Sequence, residues 1–392
     1  MALTLEVWDG SSWIDKTGSC VSLRRRIRSG GLEELDGELV KDSFSVGQEI
    51  RLKEDGVIVF EGVVYEVDRR HRGRDVERCG FKAYDYLIKY DRHIVYRAYP
   101  TGTKAGEIIR DLGKLIDDEI PVNLSGVEDG DALLSPWEIQ NEKALDVMKS
   151  VARGTNYWLR MKPCLSYLSF NRENAYVRIP YIINPAATSF SAFVWFKVPV
   201  LPSERGRDFI LIQQMDDGGK GRTWLFIRGL DNVIASFLGG VSTLSEVAVQ
   251  KNALYLAGIT YDLDSNTLKI YVNGEMKKSN TVTAEDAYGD HLLGIHKNLA
   301  SKPFEGYMYG AYFYDRVLSD EKVLQLYQNP QSPLPNGLIL WLNFDEGSGS
   351  IVYDRSGNDN HGTIYGEATW GYEVYPKVAN SLLLEFRPKV IA

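Results

Sequence analysis

Residues 3–8, LTLEVW, alternate apolar and polar side chains and stop at Asp9-Gly10, which predicts a strand closed by a tight turn. The strand resumes at Trp13-Ile14. Residues 47–67, GQEIRLKEDGVIVFEGVVYEV, read as two strands around a turn at Asp55-Gly56, and another strand ends near Tyr84. Roughly the first 95 residues therefore predict a small antiparallel β-barrel or sandwich. The period then changes. Over residues 104–116 the apolar positions Ala105, Ile108, Ile109, Leu112, Leu115 and Ile116 form a helical stripe, with Thr103 as N-cap. Residues 141–152 repeat it with Ala144, Leu145, Met148, Val151 and Ala152, capped by Asn141. An acidic loop, 117–131, separates the two, and residues 156–168 return to strand.

From there to about Trp370 the chain reads as short strands between turns, which points to a sandwich or jelly roll. Examples are 190–196, 209–213, 223–227, 254–261, 268–272 and 306–314. Only residues 319–327 look helical, with Ser319 as N-cap and Val323, Leu324 and Tyr327 inward. Residues 382–386 form a last strand. The fold class is mainly β.

Composition narrows the function classes. A net charge of −8 argues against a dominant nucleic-acid footprint, which needs a basic face. The local exception, LRRRIR at 23–28, reads as the polar side of a strand or an interface patch. Cys20, Cys79 and Cys164 are odd in number and lack CxxC spacing, so neither a zinc site nor a disulfide framework is expected. MALTLEVWDG lacks the apolar run of a signal peptide, which implies synthesis and folding in a cytosol. No window reaches the ~18 apolar residues of a membrane span.

Several stretches carry a family likeness. FNRENAYVRIP (170–180), SFSAFVWFKVP (189–199), LAGITYDLDSNTLKIYVNGE (256–275) and GYMYGAYFYDRVLSDEKVLQLY (306–327) resemble successive strands of laminin G-like, concanavalin A-like sandwiches. GLILWLNFDEGSGSIVYDRSGNDNHGTIY (337–365) resembles the phrase that usually opens such a domain. Here it follows the others, which implies a permuted sandwich; a truncated second copy is the alternative. The N-terminal half is similar to tailed-phage baseplate or tail-tip hub proteins, through VWDGSSWIDKT, the 47–67 pair, KAYDYLIKYDRHIVYRAYPTGTKAGEIIRDL and ALDVMKSVARGTNYWL. That resemblance implies homo-oligomeric rings, commonly trimers, with other virion tail proteins as partners and a place on a virion tail assembled in the host cytoplasm.

The expected organisation is a hub-like β domain with two helices over residues 1–166 and a sandwich over 167–375. Residues 376–392 would form a terminal strand that returns to the first domain beside 157–168, making the sandwich an insertion. The expected function is a structural tail-tip component whose lectin-like module attaches to a host-surface glycan or receptor. The alternatives are a secreted or surface carbohydrate-binding protein and a concanavalin A-like glycoside hydrolase.

The chemistry favours binding. Glucanases of this fold carry alternating carboxylates on one strand, about 5 Å apart for retaining chemistry. The only such run, Glu34-Leu35-Asp36-Gly37-Glu38, lies in the first domain beside Gly30-Gly31, where a loop is expected. No G-x-S-x-G elbow occurs, and His71 near Cys79 reads as a surface accident, so no catalytic residue is assigned. Sugar binding needs exposed rings beside polar groups, and the candidates are Trp224, His296, Tyr307, Tyr309 and Tyr312. Asp354, Asn358, Asp359 and Asn360 gather oxygen ligands in one turn and offer a calcium site, although Asp-x-Ser-Gly-Asn is also ideal turn sequence. Asp262, Asp264 and Asn266 pose the same choice at a hairpin tip, where the turn is favoured.

Overall fold

The computed structural model describes residues 2–10, 12–27, 32–72, 76–117, 119–170, 174–215, 222–296, 302–330, 333–374, 376, 379 and 381–388. Two compact units divide the chain: Met1–Leu165 with Glu373–Ala392, and Ser166–Tyr372. No helix among the described residues is long and apolar enough to cross a membrane.

The first unit begins with a seven-stranded antiparallel sheet. Its spatial order is Trp13–Asp15, Leu3–Trp8, Glu49–Glu54, Val57–Arg72, Val76–Asp85, Glu34–Val40 and Cys20–Arg26. Alternation puts Leu5, Val7, Ile50, Leu52, Phe60, Val64 and Phe81 into one core. Residues 34–38 are therefore strand, not the expected loop, because they are paired on both sides. Their carboxylates share a face and each meets an arginine: Glu34 with Arg26, Asp36 with Arg24 at 3.3 Å and Glu38 with Arg78 at 2.9 Å. The arginine run is thus the counter-charge of the acidic strand.

A second core in this unit is built on helices α1 (Ala105–Gly113) and α2 (Ala144–Gly154), with Ile108, Leu112, Leu145 and Met148 inward. Both starts differ from expectation. The α1 cap is Lys104, whose N–H donates to Glu107 Oε2 at 3.0 Å. Asn141 does not cap α2; it sits at φ 57° where the strand Trp137–Lys143 bulges, and the helix begins only after Lys143. Leu382, Leu384 and Phe386 of the strand Ser381–Pro388 join this core. That strand pairs antiparallel with Tyr157–Phe170, from Cys164↔Ser381 to Tyr157↔Pro388.

The second unit is a two-sheet sandwich. In one sheet the neighbours run Glu275–Thr281, Thr267–Val272, Leu254–Asp262, Phe190–Lys197 and Gly306–Tyr314. The last of these also pairs with Leu338–Leu342 and with Leu168, Ser169 and Phe170. The other sheet runs Val241–Ala248, Val233–Leu238, Arg222–Ile227, Phe209–Gln214, His291–Leu293, Tyr176–Ile179, Gly362–Tyr365 and Ile351–Val352. Phe190, Val194, Phe196, Leu211, Ile227, Ile259 and Phe313 fill the space between the sheets. Residues 337–365 supply strands to both sheets of this single sandwich.

Two short helices complete it, α3 (Pro202–Arg205) and α4 (Asp320–Gln328). Ser319 caps α4, its hydroxyl accepting from the Lys322 N–H. Tyr327 of α4 stacks on Trp195 at 5.3 Å, and Asp320 accepts from the Tyr271 hydroxyl at 2.6 Å. Helix α4 therefore lies over the outer face of the first sheet.

Candidate ligand-binding site

The sequence candidates separate once burial is known. Trp224 is fully buried, stacked on Phe190 at 4.4 Å and edged by His291 and Phe313. It faces the inter-sheet core and cannot stack on a ligand, which corrects the sequence reading. Tyr309 and Tyr312 point away from that core but are covered as well. Tyr312 donates to the Pro330 carbonyl at 3.0 Å beneath the segment that follows α4. Tyr309 packs against the ring of Tyr167 at 5.5 Å, with the Lys197 ammonium 5.5 Å from its centroid. Neither offers a free face. His296 is half-buried and does not line the cleft described next. Among the candidates only Tyr307 is both less than fully buried and beside a cavity.

That cavity is a cleft of about 150 Å³ lined by Phe170, Pro199, Val200, Arg205, Glu305, Gly306 and Tyr307. Local sequence explains each wall. Pro202 starts α3 and Gly206, at φ 63°, ends it after one turn, so Arg205 and Arg207 leave the turn toward Glu305. Asn232 Oδ1 accepts from the Ser203 N–H at 2.9 Å and the Leu201 N–H donates to Glu204 Oε2 at 3.3 Å, fixing the turn. Gly306 has no room for a side chain: a Cβ would fall 2.4 Å from the Lys197 carbonyl oxygen. Phe170 packs on Phe304 below, giving the cleft an apolar base.

Its polar rim is one carboxylate shared by two guanidiniums. Arg205 donates to Glu305 Oε2 through Nε at 2.9 Å, with Nη2 at 2.8 Å, while Arg207 Nη2 takes Oε1. The Glu305 side chain is only 12% exposed against 44% for Arg205. Such a pair sets N–H donors and carboxylate acceptors along one edge, which suits adjacent hydroxyls that both accept and donate. The Tyr307 ring, held at 4.9 Å against Tyr167, supplies the apolar companion. The Arg-x-Arg spacing after a Pro-started turn was the only sequence trace of this rim, and no motif linked it to Glu305.

The proposed calcium turn does not fit a metal. Asp354 Oδ1 accepts from the Trp341 and Ser356 N–H groups, both at 2.9 Å. Its Oδ2 accepts from the Ser356 hydroxyl at 2.8 Å and the Asn360 N–H at 3.0 Å. Asn358 and Asn360 donate their amides to the Leu338 and Ile339 carbonyls, and Asp359 sits at φ 58°. The carboxylate is saturated by donors, so these residues build the turn. Asp262 does the same at its hairpin tip, accepting from the Asp264 N–H and the Ser265 hydroxyl. Among the described residues no cluster of His, Cys, Asp and Glu could hold a metal.

Two carboxyls beside the turn went unnoticed in the sequence. Asp345 is buried and paired with Arg355 at 3.0 Å. Burial, and then the charge of Asp345, push the neighbouring Glu346 up to about 8. Glu346 Oε1 accepts from the Tyr353 N–H at 2.8 Å, so this pair fastens the same loop; neither residue lines the cleft. Cys79 is buried, and the side chain of His71 lies outside the described residues.

Residues 171–324 match the model of the concanavalin A-like lectin/glucanases superfamily. The sandwich is concanavalin A-like. Among solved structures the chain is similar to a candidate carbohydrate-binding protein from Bacteroides ovatus (13% identity, 92% of this chain and 93% of that one, TM-score 0.43). It is also similar to domain 4 of the arabinanase AbnA from Geobacillus stearothermophilus (16% identity, 43% and 99% covered, TM-score 0.32). A third is the heptameric SAP-like pentraxin of Limulus polyphemus (11% identity, 54% and 94% covered, TM-score 0.34). No curated protein matches. The family match does not reach residues 1–170, and the comparisons lend the tail-hub resemblance of that part no support.

Proposed function

We propose that the sandwich is a non-catalytic glycan-binding module whose cleft takes a sugar through two adjacent hydroxyls. The observation that carries this is the partly buried ring of Tyr307 lining one cleft with the Arg205–Glu305 pair. Ring faces stack on the C–H patches of a pyranose while the ion pair takes its hydroxyls. Glu305 is shared by both arginines, so the rim offers guanidinium donors beside a carboxylate acceptor. The superfamily match supports the lectin-like reading. A glycan array probed with the intact chain and with Tyr307→Ala tests it: signal on glycans that the variant loses is expected. An unchanged array pattern would overturn the assignment to this cleft.

A second reading keeps the tail-tip role, with the module as a host-attachment head on a virion tail. The observation that favours it is the order within the first unit, an antiparallel sheet followed by α1, α2 and a strand, as the hub resemblance implies. Light scattering on the full chain tests it: a trimer or larger ring is expected, and a monomer at micromolar concentration counts against it.

A further inference from the structure

We propose that the loops carrying Tyr181 and Tyr288 form a second contact surface of the sandwich, one that takes a neutral oligosaccharide. It shares no residue with the cleft lining and stands whether or not the cleft binds. Tyr181 follows the strand Tyr176–Ile179 and Tyr288 precedes His291–Leu293. Their ring centroids are 6.0 Å apart at 51°, and the two residues are 40% and 54% exposed. Two large rings held side by side in water are the apolar half of a sugar platform.

The loops beneath them are fixed by buried polar side chains. The Gln214 amide donates to the Ile183 carbonyl at 2.6 Å and to the Ala287 carbonyl at 3.2 Å, joining both loops from below. Asn184 Oδ1 accepts from the Ala186 and Ala287 N–H groups, and its amide donates to Asp286 Oδ1 at 2.8 Å. His291 Nε2 accepts from the Ile182 N–H at 3.4 Å. Gln214 and His291 are fully buried, so the rings are presented on a prearranged frame, which lowers the ordering cost of binding.

The polar half is also present. Asp286 Oδ1 accepts from the Tyr288 hydroxyl at 3.2 Å, while its Oδ2 accepts no hydrogen bond from the described residues and remains open to a sugar hydroxyl. Asp290 is occupied by Arg178 and by the Tyr181 N–H. Among the described residues Asp286, Asp290 and one arginine leave a negative local charge, which disfavours carboxylated or sulfated glycans.

The test uses the full chain carrying Tyr307→Ala, which silences the cleft, with cellohexaose, xylohexaose, mannohexaose and the anionic hexagalacturonate as probes. Saturation-transfer NMR and titration calorimetry should show binding of at least one neutral hexasaccharide and none of hexagalacturonate. Adding Tyr288→Ala or Tyr181→Ala should weaken it about three- to tenfold, while Tyr288→Phe retains most of it and the thermal midpoint is unchanged. The proposal is overturned if no neutral probe binds in that background, if binding ignores both alanine variants, or if hexagalacturonate binds equally well. Failure of the cleft reading shows separately, as indifference of the otherwise intact chain to Tyr307→Ala.

Discussion

Tyr176 and Tyr365 stack face to face, with centroids 4.9 Å apart and planes 8° apart, on the paired strands Tyr176–Ile179 and Gly362–Tyr365 from the two ends of the sandwich sequence. The contact ties residues 337–365 to the start of the domain, so the late position of that segment leaves no strand of it unpaired here. Tyr365→Ala should lower sandwich stability by about 1–2 kcal/mol, the worth of one partly exposed aromatic pair with its lost area. Denaturant unfolding followed by near-UV circular dichroism measures it, and no shift would mean the pair is incidental.

Trp224 and Tyr307 should behave oppositely although both looked like ligand contacts in the sequence. Trp224→Ala opens a cavity beside Phe190 and should cost about 3–5 kcal/mol, seen as a large fall in melting temperature. Tyr307→Ala loses only its pairing with Tyr167, so it should cost about 1–2 kcal/mol, well short of Trp224→Ala, and abolish cleft binding.

Glu346 predicts a pH dependence. Its folded-state value is raised from the ordinary 4.5 to about 8, so the folded chain holds a proton that the unfolded chain has released across that window. Stability from this group is complete below about pH 4.5 and is lost as pH rises through 8. Glu346→Gln cannot titrate, so its melting temperature relative to the parent should climb between pH 5 and pH 8. Parallel curves would refute the assignment.

Chelation should change nothing. Because Asp354 is filled by four donors, an excess of EDTA should leave both the melting temperature and glycan binding where they were. A chelator-sensitive melt would reopen the calcium reading.

The first unit should survive removal of the sandwich. Cys164 and Ser381 are direct antiparallel partners, so a short hairpin loop can replace the residues between them. The shortened chain should melt cooperatively, and Phe386→Ala within it should cost about 3–5 kcal/mol. A shortened chain that is unfolded would show that the unit depends on its insertion.

Periodicity alone determined much of this protein. The β-rich character, both main helices and the Ser319 cap are all written in local spacing, because alternation and helical stripes are properties of neighbouring residues; the laminin G-like likeness came from the resemblance of whole segments to a known family. Cap positions were less legible, since Asn141 was free to serve a bulge once its strand had a partner. Which aromatic faces water was not legible at all: Trp224, Tyr309 and Tyr312 alternate as Tyr307 does, and the opposing sheet, the Tyr167 ring and the cover after α4 respectively bury them. The Arg205–Glu305 pair and the Tyr181–Tyr288 platform join residues about a hundred positions apart. Only tertiary structure brings such residues together, because side chains that far apart in sequence meet through the order of strands in a sheet.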